Sequence, residues 1–145
     1  MKTGNYRIQS YPHGPEKLYF SYVYGSYGVK EIKYNADKIQ LLEGYTIDSL
    51  EVVDETNISP RRWRTFSEVI DFLDVPNWKP KYTIDETPFD GSAWDFRYQF
   101  GNQKCNSSGI NAFPDNNKGN GEIKVKLLAI ALDAALKKKH FIDLF

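Results

Sequence analysis

Residues 94–100 read Trp-Asp-Phe-Arg-Tyr-Gln-Phe, a strict alternation of large rings with polar side chains, and Gly101-Asn102 follows at once. Side chains of a strand alternate between its two faces, so this run is a strand with one buried and one exposed face. A two-residue turn fixes the register of the returning strand. Phe100 is then opposite Gln103, Tyr98 opposite Cys105, Phe96 opposite Ser107 and Trp94 opposite Gly109. Large rings thus face small residues, and a glycine opposite a tryptophan lets the ring cover bare backbone. The polar face pairs Asp95 with Ser108, Arg97 with Asn106 and Gln99 with Lys104. Cys105 is expected as a small buried residue, without thiol reactivity.

Leu18–Tyr24 alternates Leu18, Phe20, Tyr22 and Tyr24 against Tyr19, Ser21 and Val23. With Val29–Tyr34, Lys38–Leu42 and a strand around Ser49–Val53 it predicts an antiparallel meander. Phe66, Val69, Ile70 and Leu73 recur at helical spacing, and Thr65 with Glu68 makes a capping box, predicting a helix from Thr65 to about Asp74. Residues 77–88 are a proline-punctuated connection, with Trp78 and Tyr82 as anchors onto the core. Glu122–Lys138 is a second helix, capped by Asn120 and apolar around most of its circumference. The predicted fold is a single α+β domain over residues 1–145: an antiparallel sheet of meander plus hairpin, with two helices packed on it.

Charge and motifs narrow the function classes. The nineteen basic and nineteen acidic residues cancel, which argues against a dedicated nucleic-acid binder. Residues 46–100 nevertheless carry eleven acids against six bases, a field that would draw in a basic partner or simply solvate a face. One cysteine excludes an internal disulfide, and the first fifteen residues lack an apolar signal core. No segment reads as a membrane span, so the expected location is the cytoplasm, with no membrane partner. No nucleophile, phosphate-loop or metal-ligand motif occurs, and no cofactor or metal is expected.

Two catalytic readings remain. His13 and His140 would need the chain termini to meet, and the acids from Asp85 to Asp90 would need one buried carboxylate. A hydrolase or nuclease using these groups is therefore kept as an alternative. A third reading is a regulatory domain that binds peptide or RNA through its 15% aromatic residues, although Arg97 alternates away from the rings of Phe96, Tyr98 and Phe100. Tyr19, Tyr27, Tyr45 and Trp63 are rings that the core patterns do not require.

Asp90-Gly91, Trp94, Gly109, Asn111 and Phe113-Pro114, closed by a helix, resemble a D-G-x-x-W strand and G-x-N-A-F-P turn found in small bacterial domains. The make-up is also similar to that of single-domain immunity proteins encoded beside polymorphic toxins. The resemblance covers about residues 60–135, implies a cytoplasmic binding protein without catalysis, and carries over no site residue. It points to an inhibitor that occludes a partner toxin. The residues proposed for contact are the acids Glu51, Asp54, Glu55, Asp85, Glu86 and Asp90, with Tyr27 and Trp63 as anchors.

Overall fold

The computed structural model describes residues 15–24, 28–35, 38–83, 92–114 and 121–141. Four strands come first: β1 Lys17–Tyr24, β2 Val29–Asn35, β3 Lys38–Gly44 and β4 Glu51–Thr56. Helix α1 Pro60–Phe72, the short strand β5 Lys81–Thr83, the hairpin β6 Ser92–Phe100 and β7 Gln103–Ile110, and helix α2 Gly121–Leu136 follow. The strands form one sheet in the order β4-β3-β2-β1-β6-β7-β5. The meander and the hairpin are antiparallel and join through β1 and β6. The sheet is mixed, however, because β5 lies parallel to β7. It comes from the stretch expected to be a connection. Its three residues are too few for alternation to register, and the Ser108 N–H to the Pro80 carbonyl begins the pairing at 3.1 Å.

The hairpin register is the one expected, from Phe100 opposite Gln103 to Trp94 opposite Gly109. Gly101 takes the positive φ of 62° that the turn needs. The inward rings of β6 meet those of β1: Phe20 stands edge-on to Phe96 at 5.9 Å, and Phe96 stacks on Tyr98 at 5.6 Å. Cys105 lies buried beneath Tyr98, and burial pushes its thiol up to about 12, so it stays protonated at neutral pH. The helices cover this face with Phe66 and Ile70 from α1 and Val125, Leu128 and Leu132 from α2.

Helix α1 starts five residues before the expected cap. Ser59 is the cap, accepting the Arg62 N–H at 3.3 Å, and Pro60 opens the first turn with its φ already helical. Thr65 instead donates to the Arg61 carbonyl from within the helix. The extra turn puts Trp63 on the same stripe as Phe66 and Ile70, where it is 3% exposed and packs on Phe66 at 6.0 Å and Phe100 at 6.2 Å. Trp63 is therefore a core residue and the expectation of a surface anchor there is corrected.

Helix α2 ends at Leu136. Lys137 takes the left-handed φ of 58°, its N–H bonds the Ala134 carbonyl, and the Lys138 N–H reaches back to Asp133. This is the closing loop in which glycine is favoured, since Cβ strains that conformation. Lys137→Gly should stabilise the domain by roughly 0.5–1 kcal/mol, read as a higher urea midpoint at unchanged slope. The chain then turns inward. Buried Asp133 accepts the Phe141 N–H with both oxygens, at 3.0 and 3.1 Å, and Phe141 packs into the core against Phe20.

Candidate protein-binding edge

Among the described strands β4 is the outermost beside β3, and it carries three of the predicted acids on six residues. Its neighbourhood is built by a tight crossing. A Cβ on Gly44 would lie 2.7 Å from the Ser49 carbonyl, so only glycine lets the 3-10 turn Ile47–Ser49 fold back over the end of β3. Thr46 and Ser49 tie that turn, with the Thr46 N–H donating to Ser49 Oγ at 3.0 Å. The chain then enters β4 directly.

A register shift between Leu41 and Leu42 makes Asp54 pair with Leu41 and Val52 with Leu42, leaving Val53 as an extra residue. Such a bulge breaks alternation and bends the edge. No residue of this strand is buried, and both valines are exposed, Val52 at 47% and Val53 at 52%. Tyr45 at 84% and Ile47 at 53% add to them, a concentration of apolar surface at one end of the sheet. An open cleft of about 600 Å³ adjoins it, with Tyr24, Lys30, Glu43, Tyr45, Glu51 and Val53 in its walls.

The acids hold distinct positions. Glu51 is exposed and stands opposite Glu43, a like-charge pair that costs stability where it lies. Lys30 lies 3.8 Å from Glu43 and offsets part of that cost. Glu55 is exposed and accepts from Gln40 Nε2 at 3.1 Å. Asp54 is engaged twice: Lys138 Nζ lies 2.8 Å from its Oδ2, and the Glu55 N–H donates to its Oδ1 at 2.8 Å. The Lys138 bond first, and then the Glu55 N–H, hold the Asp54 carboxyl below its ordinary range.

The remaining candidates separate. Asp85, Glu86, Asp90 and Tyr27 fall outside the described residues, as does His13. His140 is 4% exposed, and since the Glu31 carbonyl 3.1 Å away can only accept, Nε2 carries the proton. Phe141 lies edge-on to its ring at 4.8 Å. His140, a candidate catalytic group by sequence, is thus a clamp between the C-terminal segment and β2, out of reach of a substrate. The acids at β4 and the surplus ring Tyr45 come together. Tyr19 does not join them, because it lies on the sheet face away from the helices with its hydroxyl donating to Glu31 at 2.6 Å. Burial and the Glu31 bond push the Tyr19 phenol up to about 12, and Arg97 covers its ring at 5.0 Å. Phe96, Tyr98 and Phe100 are buried, so they offer no stacking platform.

The setting of His140 has a pH consequence. Burial, with Lys30 adding to it, lowers its pKa below 6.5, while the bond to Glu31 and the charges of Glu43 and Asp133 oppose that shift. Below pH 6.5 the unfolded chain binds a proton that the folded chain takes up only at lower pH. The stability contributed is therefore fully present above pH 6.5 and is lost as pH falls through the lowered value. Urea midpoints should decline from about pH 7 to about pH 5, and His140→Gln, which can still donate to Glu31, should flatten that decline.

Sequence reasoning missed Ile47, Val52 and Val53 as surface and missed Lys138 as the partner of Asp54. Valines in a strand signal burial by default, and a strand left uncovered on both faces is not visible in its own sequence. Compared with known proteins, the chain matches no family model and has no significant match to a curated protein sequence.

Proposed function

We propose that this protein is a non-enzymatic binding module whose β4 end docks a basic surface of another protein, as an immunity-type inhibitor would when it occludes a toxin in the cytoplasm. The observation that carries the reading is the coincidence of exposed Glu51 and Glu55 with exposed Val52, Val53 and Tyr45 on one outermost strand and its approach. Apolar surface supplies affinity, while the acids steer encounter and select a partner of opposite sign. The burial of His140 takes that residue out of the hydrolase alternative, whose His13 and Asp85–Asp90 acids lie outside the described residues, and the burial of the Phe96, Tyr98 and Phe100 rings removes support from the nucleotide-stacking one.

Affinity capture on immobilised protein, with Glu51→Lys/Glu55→Lys as the paired bait, tests this. A stoichiometric basic partner should bind the native chain and be lost from the charge-reversed one. Equal retention on both baits would remove the reading.

A further inference from the structure

The edge itself suggests how a partner engages it. We infer that β4 accepts an extended, lysine- or arginine-rich segment as an added strand, and that Lys138 occupies in cis the place of one of that segment's cations. This rests on the binding role proposed for the β4 end. Strand β4 pairs with β3 on one side and, among the described strands, ends the sheet on the other, and an edge strand offers backbone groups to an incoming chain. Val52 and Val53 give side-chain contact on such a chain, flanked by Glu51, Asp54 and Glu55. A second copy of this protein is disfavoured as the occupant, because pairing β4 with β4 would bring these acids against their own kind. A nucleic acid is repelled for the same reason.

Asp54 is the point of exchange. Its Oδ1 takes the Glu55 N–H at 2.8 Å and its Oδ2 holds Lys138 at 2.8 Å, with both side chains of the ion pair substantially exposed. An exposed pair of this kind contributes little by itself and is easily replaced. A cation of the incoming strand can take Lys138's place, drawing the carboxylate outward and releasing the Glu55 N–H for pairing. Lys138 then acts as an internal competitor that keeps the edge from pairing indiscriminately.

The test uses the full chain and three synthetic heptapeptides: acetyl-KTKVKTK-amide, the same peptide N-methylated at alternate residues, and acetyl-ETEVETE-amide. Binding is followed by backbone NMR shifts and amide exchange. The unmodified lysine peptide should bind, slow exchange along β4, and bind at least about tenfold more tightly than its N-methylated form, which keeps the charge and loses the strand bonds. Lys138→Ala should tighten binding severalfold, whereas Lys139→Ala, an equal charge change away from Asp54, should tighten it less. Equal binding of the two lysine peptides would overturn strand addition and leave the acidic docking surface standing. No preference for lysine over glutamate peptide would overturn both. Equal effects of the two lysine variants would overturn the competitor role of Lys138.

Discussion

Trp94→Ala should leave the domain close to unfolding, at a cost of about 3–5 kcal/mol, a large share of the roughly 5–15 kcal/mol that holds a domain of this size together. The ring is 2% exposed and joins parts of the chain that do not pair directly with its own strand. Trp78, from the turn after α1, stands edge-on to it at 5.7 Å. Tyr82 of β5 tilts against it at 6.0 Å, and Phe113, beyond β7, stacks parallel to it at 6.5 Å. Its indole N–H donates to the Ala112 carbonyl at 2.9 Å, so truncation also orphans a buried acceptor. The parallel pairing of β5 depends on this cluster and should be lost first. Urea unfolding followed by circular dichroism reads the effect, and a cooperative transition near the native midpoint would contradict this role for the ring.

Gly109→Ala should be nearly as damaging, at about 3 kcal/mol. The reason is space, since Gly109 is not among the positive-φ residues. A Cβ there would run into the Ala112 carbonyl and the Trp94 indole, with indole Cε2 only 2.9 Å away. Neither neighbour can retreat without breaking the bond between them. Because the two positions share one contact, Trp94→Ala/Gly109→Ala should cost clearly less than the two single changes added, with an interaction on the order of 1 kcal/mol or more. Simple additivity in that cycle would show that the glycine serves some other constraint.

These two residues belong to the part of the fold most legible in the sequence. Seven alternating residues followed by Gly101-Asn102 leave only one register that keeps the rings inside, and that register set both the Trp94–Gly109 pairing and the burial of Cys105. Alternation likewise separated Phe20 and Tyr22 from Tyr19 and Ser21 on β1. What alternation cannot report is a local break in it. The extra residue Val53 emerges only when β4 is seen paired with β3. A three-residue strand such as β5 carries no period at all. The misplaced start of α1 had a different origin. Thr65 and Glu68 satisfy the pattern of a cap, yet Ser59-Pro60 is the stronger start, and choosing the later one left Trp63 outside the helix and apparently free. At the β4 end the charges were legible as composition, because Glu51, Asp54 and Glu55 are neighbours in the chain. Their company was not, because Lys138 lies far from Asp54 in the chain and meets it only through the tertiary fold.

The Glu51→Lys/Glu55→Lys variant gives the sharpest view of the binding edge, since both side chains are exposed and the change leaves the Asp54–Lys138 pair in place. The decisive quantity is the association rate constant with the captured partner, measured for both chains across ionic strength. Screening acts over about 10 Å at 0.1 M salt, so steering by these acids should make native association fast at low salt and steeply salt-dependent. The variant should associate about tenfold or more slowly at low salt, with a flattened dependence. Identical rates and identical salt slopes for the two proteins would show that the partner docks elsewhere.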